Sequence, residues 1–460
     1  METVGSAPRS MRTFVIIWLG ELVSLIGSGL SSFALGVWIY QQTGEATPFA
    51  LTVLFSTLPR MLVMPLAGML ADRWNRRLLM ILGDTGSALC TLVVAVLAML
   101  GRLDMTPIYV LVAVSSVFST FQEPAFRASV TMLVEKKDLA RASGMMNGSE
   151  AVTMLVSPLL AGLLFSLIGL GGIILIDFAT FFFAVGALLF VRIPQPRLSA
   201  EETAAENAGK KASLAGDMAF AWRYLRERPG LFWMLWYFAL VNFLFNLSAV
   251  LVGPLVLSFA TPAVYGMVQV GFGLGMLAGS VVIGAWGGPK KRAAGIFLFM
   301  TLSAVGLALA GLRPSAWVVG MGMFIMLFFI PMGQACSTAI SQTKTEPSVQ
   351  GRLFAVRGLI SQSMMPLAFL LAGPLADQVF GPLLLPGGAL ESSFLAALVG
   401  IGPGRGVGLM FILSGVLLVL VGGLAWTNPR IRNIEEELPD VAVVEEEQPV
   451  PIGTERIPAG

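Results

Sequence analysis

Long apolar segments separated by short polar ones run along nearly the whole chain. A helix that crosses about 30 Å of hydrocarbon needs roughly 20 apolar residues, and twelve such segments can be marked off as spans 1 to 12. They are 14–40, 49–70, 78–100, 107–127, 142–168, 170–191, 231–257, 263–286, 293–311, 316–340, 353–378 and 406–426. The pattern predicts an all-α membrane protein with twelve transmembrane helices.

Polar residues interrupt this pattern at one internal stretch and at the C-terminal end. Within the charged stretch 193–230, Leu214, Trp222 and Leu225 share one helical face, which is typical of a helix at the membrane interface. The segment that follows residue 428 is acidic. The predicted organisation is an N-terminal six-helix bundle at 1–192, a cytoplasmic linker with an interfacial helix at 193–230, a C-terminal six-helix bundle at 231–428 and a disordered acidic cytoplasmic tail at 429–460.

The composition supports a lipid environment and narrows the chemistry. Charged residues make up 12% of the chain, hydrophobic residues 56%, and the mean hydropathy is +0.82. The absence of His excludes histidine metal sites and proton relays, and Cys90 and Cys336 lie inside apolar segments with no metal-ligand spacing. The chain contains no Gly-x-x-x-x-Gly-Lys-Ser/Thr loop, which argues against ATP as the energy source. We expect no cofactor, no metal and no nucleic-acid partner.

The basic residues lie mostly on one side of the predicted membrane. Arg102, Arg313 and Arg405 occupy loops of one parity, Arg60 and Arg127 fall within spans, and the other Lys and Arg residues lie on the opposite side. Loops rich in Lys and Arg stay in the cytoplasm. We therefore expect a multi-pass protein of the cell membrane with both termini in the cytoplasm.

Three matching segments indicate that the two halves are repeats. Gly68–Arg77 closes span 2, and the similar Gly284–Arg292 closes span 8, 216 residues later. Arg141 and the Leu-Leu-Ala-Gly segment ending at Gly162 recur 211 residues later, at Arg352 and in the segment ending at Gly373. Internal duplication of this kind is typical of secondary transporters.

The loop between spans 2 and 3 reads Gly68-x-x-x-Asp72-Arg73-x-x-Arg76-Arg77. It resembles the signature loop of the major facilitator superfamily, and with the spans and the repeat the resemblance covers nearly the whole chain. Further segments are similar to the drug-exporter branch that includes macrolide efflux proteins and the enterobactin exporter. These segments are Leu139–Arg141, Ser157–Gly162, Ala221–Gly230 and Gly351–Phe354.

The resemblance implies a fold of two six-helix bundles around a central cavity, and a gating loop. Asp72 would meet the N-terminus of span 11, where unpaired N–H groups carry partial positive charge. The resemblance also implies that Arg73, Arg76 and Arg77 hold the loop to the cytoplasmic face, with Gly68 at its start. The alternative is that these charges only set the topology.

Two further family signals are altered in this chain. Exporters of the superfamily often carry Gly-Pro-x-x-Gly-Gly in span 5, and this chain has Ser157-Pro158-Leu-Leu-Ala-Gly162. Ser and Ala are small, so close helix packing and a Pro kink are expected to persist. Related exporters often place an Arg in span 4, and here the corresponding segment 114–121 has none. Arg60 or Arg127 is a conjectural substitute.

Charged side chains within spans are costly and mark functional candidates. Counted by helical rise, Glu21, Glu150 and Arg60 lie about 10, 12 and 16 Å into their spans. All three are expected near the midplane, where carboxylates suit proton coupling in a chain without His, because burial disfavours the charged form. The alternative is a structural ion pair between Arg60 and one carboxylate.

Three other charged residues lie in spans 4 and 6. Glu123 and Arg127 are four residues apart, which favours a local ion pair, and a role in the coupling vestibule is the alternative. Asp177 lies near the outer end of span 6. The resemblance places span 6 outside the cavity, so Asp177 is predicted to be structural.

The second half has few charges, and its spans offer amide and aromatic side chains instead. Polarizable Met and aromatic walls suit varied apolar ligands, although each such residue is more often explained by packing. We predict that substrate binds mainly in this half. The candidates are Asn242, Asn246, Gln269, Phe324, Gln334 and Gln362.

The leading prediction is a secondary transporter that exports amphipathic small molecules by alternating access with proton antiport. The expected partners are the substrate, protons and membrane lipid, and the expected state is a monomer. A lysophospholipid or lipid flippase and a siderophore exporter of the same superfamily remain alternatives, followed by sugar uptake and a non-transporting membrane receptor. An enzyme is not predicted, because no nucleophile–base set or metal cluster is found.

Overall fold

The computed structural model describes residues 10–191 and 214–437, without the side chains of Asp72, Leu214, Ala215, Asp217, Pro347 and Ser348. These two ranges are helical and contain no strand. The first half has α1 (Met11–Thr43), α2 (Ala46–Arg73), α3 (Arg76–Met99), α4 (Met105–Leu133), a 3₁₀ turn (Lys136–Asp138) and α5 (Leu139–Phe190). Next come α6 (Leu214–Arg226), α7 (Pro229–Ala249), α8 (Val252–Leu257), α9 (Pro262–Trp286), α10 (Arg292–Gly311), α11 (Ala316–Thr343) and α12 (Pro347–Pro374). The chain continues through a π-helical segment (Leu375–Phe380), α13 (Gly381–Leu383), α14 (Phe394–Val399), α15 (Arg405–Thr427), α16 (Pro429–Arg432) and α17 (Ile434–Glu437).

Helix α5 crosses the bundle twice, because it reverses direction at Gly169. That residue has φ 63° and ψ −172°, a backbone conformation that favours glycine. Trp18 on α1 donates to the Met145 carbonyl at 3.0 Å, and the neighbouring Gly20 packs on Ala187. A straight helix of 52 residues would be about 78 Å long and would keep residues 145 and 187 far apart. The two arms therefore lie antiparallel beside α1.

The prediction of twelve transmembrane helices is confirmed. Eleven helical segments in the described ranges are long and apolar enough to cross a membrane, and the one that contains α5 supplies two passes. Gly169 is the residue that separates predicted spans 5 and 6.

The linker and the tail differ in part from expectation. Helix α6 occupies the position of the predicted interfacial helix and buries Ala221 and Leu225, while residues 192–213 lie outside the described ranges. The tail, expected to be disordered from residue 429, begins with the two short helices α16 and α17. The Glu435 carboxylate accepts hydrogen bonds from the first amides of α10, at 3.1 Å from Arg292 and 3.0 Å from Ala293. Residues 438–460 lie outside the described part of the chain.

The two ends of the bundle differ in charge. We call the end that contains the start of α1, the α2–α3 loop and the end of α15 the basic end, and the opposite end the far end. Arg73, Arg76 and Arg77 lie at the basic end, and the turns at Gly44 and Gly101 lie at the far end.

At the far end the two halves are packed backbone to backbone. A Cβ on Gly162 of α5 would lie 2.6 Å from the Pro262 carbonyl oxygen at the start of α9. A Cβ on Gly373 of α12 would likewise lie 3.0 Å from the Thr47 nitrogen at the start of α2. Gly162 and Gly373 are the repeat-related glycines of the sequence, so the duplication appears here as two equivalent helix contacts that seal the far end.

At the basic end the same four helices are apart. Gly68 on α2, Gly144 on α5, Gly284 on α9 and Gly351 on α12 each have open space within 4 Å of an added Cβ. Unlike Gly162 and Gly373, these basic-end glycines are not in contact with a neighbouring helix, and the basic halves of α2 and α12 line one cavity. The space between the halves opens toward the basic end.

Candidate functional site

A cavity of about 1060 Å³ lies between the two halves. Its walls come mainly from α1 to α5, and α12 closes one side. Hydroxyl groups form much of the polar lining, including those of Ser28, Ser32, Ser56, Thr57, Ser87, Thr91, Ser115 and Ser119. Apolar side chains lie among them, including Met61, Met64, Phe354, Leu359 and Met365. Drug-sized ligands occupy pockets of roughly 300–1,000 Å³ that combine apolar walls with a few polar groups, so the cavity has the size and character for an amphipathic molecule.

A continuous chain of ion pairs joins α2, α4 and α5 beside this cavity. Arg60 pairs with Glu123 at 3.0 Å, Glu123 with Arg127 at 3.0 Å, and Arg127 with Glu150 at 2.9 Å. We call these four residues the ion ladder. Their side chains are between 35% and 62% exposed. Exposed pairs of this kind contribute about 0–1 kcal/mol each, so they can exchange partners at low cost.

The ion ladder contains two of the three residues that helical rise predicts at a common depth. The three residues are Glu21, Arg60 and Glu150. Arg60 pairs with Glu123, and Glu150 pairs with Arg127. Glu21 lies elsewhere and is 4% exposed. The local pair between Glu123 and Arg127 is present, with both residues also bonded to other helices.

Glu21 belongs to a second, buried group of acids. Its carboxylate accepts a hydrogen bond from Gln122 on α4. Asp84 on α3 is 9% exposed and lies within electrostatic range of Glu21. Glu21 Oε1 and Asp84 Oδ2 are buried and have no hydrogen-bond partner among the described residues. Asp84 is absent from the predicted site, although an acid six residues after the start of an apolar span is the same signal that identifies Glu21.

Asp177 lies on the cavity wall, which corrects its assignment to a structural position outside the cavity. Its side chain is 8% exposed and accepts a hydrogen bond from Ser28 at 3.2 Å. Ser28 lies two helical turns after Glu21 on α1. The second arm of α5 packs against α1, and this packing turns Asp177 inward.

A smaller chamber of about 50 Å³ adjoins the main cavity between α1, α3, α4 and the second arm of α5. Asp84 and Asp177 both line it, together with Ser24, Ser28, Ser87, Thr91, Ser119 and Gln122. Gln122 connects the chamber to Glu21. Two buried acids therefore line one small polar space, and the third, Glu21, is linked to it through Gln122.

The predicted gating loop joins three parts of the first half. The Arg76 guanidinium donates to the Ala128 carbonyl of α4 at 2.7 Å, and Arg77 donates to the Leu189 carbonyl of α5 at 2.9 Å. Arg73 is exposed, and the space around Gly68 is open. The Asp72 side chain lies outside the described residues, so its predicted contact with the start of α12 remains a prediction.

The Ser157–Gly162 segment lies where α5 meets α9. Ser157 donates to the Ile26 carbonyl of α1 at 3.2 Å. Gly266 of α9 sits against the Pro158 carbonyl, and Gly162 sits against Pro262. The small residues allow the close approach that the sequence pattern indicates.

A contact between the halves that the sequence analysis did not anticipate lies beside the other glycine seal. The Asp377 carboxylate accepts hydrogen bonds from the amides of Ala46 at 2.9 Å and Thr47 at 2.7 Å, and from the Thr47 hydroxyl at 2.6 Å. A residue of the second half thus caps the N-terminus of α2, where a carboxylate is favoured. No local sequence signal identifies such a long-range cap.

Of the six predicted substrate residues in the second half, Gln362 lines the cavity. Asn242 and Asn246 donate to carbonyls of their own helix at 2.8 Å, and Gln269 donates to the Tyr265 hydroxyl at 3.2 Å. Phe324 stacks on Phe328, and Gln334 is exposed. These five are not among the residues that line the cavity, whose polar wall comes mostly from the first half.

Comparisons with known proteins agree with this architecture. The sequence profile of the Major Facilitator Superfamily matches residues 17–369. The chain is 26% identical over 428 residues to macrolide efflux protein A of Streptococcus pyogenes, covering 92% of this chain and 97% of that protein. It is 22% identical over 434 residues to the multidrug efflux pump Tap of Mycolicibacterium fortuitum, covering 92% of this chain and 97% of that protein.

Solved structures show the same fold. A bacterial homologue of the human lysosomal transporter Spinster, in an inward-facing and unoccupied conformation, superposes with a TM-score of 0.67 at 15% identity, covering 95% of this chain and all 100% of that one. A bacterial homologue of the iron transporter ferroportin in an inward-facing state gives a TM-score of 0.62 at 15% identity, covering 90% and 99% of the two chains.

Proposed function

The chain belongs to the Major Facilitator Superfamily, whose matched relatives are membrane transporters and not enzymes, and from this premise we propose that it exports amphipathic small molecules by proton antiport. The observation that carries the proposal is the cavity between the halves, which is sealed at the far end and open at the basic end. Relatives named for macrolide and multidrug efflux support this substrate class.

Transport would proceed by alternating access. The glycine contacts of α5 with α9 and of α12 with α2 would act as the far-end gate, and the separated helices at the basic end as the open gate. Rocking of one bundle against the other would break the first set of contacts and close the second. The loop from Gly68 to Arg77 would help to close the basic end.

Proton coupling would involve two groups of residues beside the cavity, the buried acids and the ion ladder. Glu21 and Asp84, buried and close to each other, would carry the proton, because burial next to another acid favours the neutral form of a carboxyl group. The ion ladder would respond to bound substrate, since Arg60 at one end of it lines the cavity and the exposed pairs behind it can rearrange. The four residues of the ion ladder would therefore affect proton coupling, but none of them would hold the proton by itself.

The membrane orientation would place the basic end in the cytoplasm, since Lys and Arg are retained there. The protein would lie in the cell membrane as a monomer, with both termini cytoplasmic. In this orientation the open cavity would receive substrate from the cytoplasm or from the inner leaflet. The hydroxyl groups and methionines of its wall suit a molecule with polar and apolar faces.

The test is transport in proteoliposomes that contain the purified full chain. Uptake of a labelled macrolide and of a labelled lysophospholipid is measured with and without an imposed pH gradient, and protein-free liposomes are the control. We expect macrolide movement that requires the gradient. Movement of the lysophospholipid that does not depend on the gradient, with no macrolide transport, would identify a lipid flippase and reject the proposal.

A further inference from the structure

The small chamber beside the main cavity has the donor chemistry of a cation site. Four helical segments of the first half contribute oxygen atoms to it: α1, α3, α4 and the second arm of α5. Its volume of about 50 Å³ exceeds the roughly 10–15 Å³ that a cavity needs in order to hold one water molecule. The chamber is therefore large enough for a single small ion and too small for a drug.

The hydroxyl groups of the chamber present oxygen lone pairs, because their protons are used elsewhere. Ser28 donates to Asp177 at 3.2 Å. Thr91 donates to the Ser87 carbonyl at 3.1 Å, and Ser119 donates to the Ser116 carbonyl at 3.1 Å. A hydroxyl that donates to one partner keeps acceptor capacity for another. Three hydroxyl oxygens are thus available as neutral ligands.

The carboxylates supply the negative charge. Asp84 is more than nine-tenths buried, lines the chamber, and has its Oδ2 atom without a hydrogen-bond partner among the described residues. Asp177 lines the chamber from the opposite helix. Among the described residues that line it, none is basic. A buried carboxylate without a countercharge is costly, so a bound cation would be strongly favoured.

We propose that this chamber binds a small monovalent metal cation, with Na⁺ as the best match, between Asp84, Asp177 and the hydroxyl groups of Ser28, Thr91 and Ser119. The ligands are all oxygen atoms, which suit hard cations. No group of three or more His, Cys, Asp or Glu side chains that could hold a metal ion is found in the part of the chain that is described, which argues against a transition-metal site. A proton alone would need neither this space nor the surrounding hydroxyl oxygens.

This inference rests on the proposed function in one respect only. Glu21 and Gln122 link the chamber to the proposed proton site, so Na⁺ would compete with the coupling proton of the exporter. Binding of Na⁺ itself requires neither a substrate nor a gradient. Failure of drug export would therefore leave the ion site standing, and failure of Na⁺ binding would leave proton-driven export standing.

The experiment measures binding of radioactive Na⁺ to the purified full chain in detergent, at alkaline pH and with choline as the replacement cation. We expect saturable binding in the wild type. The Asp84→Asn and Asp177→Asn variants should weaken the affinity by about tenfold or more, since changes even outside the ligand shell of a metal cost 10–100-fold. The matched control is Asp104→Asn, which makes the same chemical change at an exposed position before α4, and it should bind as the wild type does.

Size-exclusion chromatography establishes that each variant is folded. If an Asp variant does not fold, Ser28→Ala removes one neutral ligand without removing charge, and it should weaken Na⁺ binding by a smaller factor. The absence of saturable Na⁺ binding in the folded wild type would overturn the proposal. Equal affinity in the wild type and in the folded chamber variants would overturn it as well.

Discussion

Asp377 in the second half caps the first turn of α2 in the first half, with its carboxylate oxygen 2.7 Å from the Thr47 amide nitrogen. The repeat-related contact at the start of α9 is built differently. There Thr261, the residue that precedes the helix, accepts a hydrogen bond from Val264 of the same helix. One of the two far-end contacts therefore includes a charged connection between the halves, and the other relies on glycine packing.

Asp377→Asn should loosen the far-end seal. Each lost charge-assisted hydrogen bond is worth about 1.5–3 kcal/mol, and about 1.4 kcal/mol corresponds to a tenfold change in an equilibrium constant. We expect a population shift of about tenfold or more toward the conformation that is open at the far end. The measurement is the labelling rate of a cysteine introduced at Ser56, on a Cys-free background, by an impermeant maleimide applied from the far-end side.

The control for this shift is Asp104→Asn, at an exposed far-end position outside the contact between the halves. It should leave the labelling rate unchanged. Equal labelling of Asp377→Asn and the wild type would mean that the cap does not hold the far end closed.

Gly162→Val should prevent closure of the far end. A Cβ at this position would lie 2.6 Å from the Pro262 carbonyl oxygen, and the backbone there cannot yield as a flexible side chain would. Export should fall by about tenfold or more, because a misfit of about 1.4 kcal/mol in the closed state already shifts the equilibrium tenfold. Gly186→Val on the same helix is the matched control, since it has open space around its Cβ position. Comparable loss of export in both variants would point to general helix damage.

Arg127→Gln should reduce transport but leave the thermal stability of the fold nearly unchanged. Arg127 holds the centre of the ion ladder through Glu123 and Glu150, yet exposed pairs contribute only about 0–1 kcal/mol each. We expect little change in thermal unfolding, measured in detergent, and a severalfold loss of gradient-driven export. Glu135→Gln is the control, because it removes an exposed ion pair with Lys137 outside the cavity. A large loss of thermal stability in Arg127→Gln with unaltered export per folded molecule would assign the ladder to structure alone.

The fold was predictable from the sequence for a simple physical reason. Membrane thickness sets the length of each apolar segment, and Gly169 marks a reversal that has no polar loop. The site was predictable in part. Helical rise gives the depth of Glu21, Arg60 and Glu150, but the direction in which each side chain points depends on the rotation of its helix.

That rotation is set by packing between distant segments, which a single sequence does not reveal. It turns Asp177 toward α1, pairs Arg60 with Glu123, and turns Asn242 and Asn246 back onto their own helix. The cap formed by Asp377 on α2 joins residues 330 positions apart. No local pattern predicts this cap, although the internal repeat places α2 in contact with α12, the helix that precedes Asp377.

Glu21→Gln should abolish proton-driven export while preserving the fold. The substitution keeps the size of the side chain and a hydrogen bond to Gln122, and it removes the group that we propose to exchange the proton. Loss of a positioned proton carrier typically costs about 10²–10⁴ in rate, so we expect export under a pH gradient to fall at least tenfold in proteoliposomes. Macrolide binding in detergent should stay within about twofold, because Glu21 is buried behind the cavity wall and is not one of its lining residues. Glu391→Gln in an exposed far-end loop is the control. Full gradient-driven export by Glu21→Gln would exclude Glu21 as the carrier and leave Asp84 as the acid to examine.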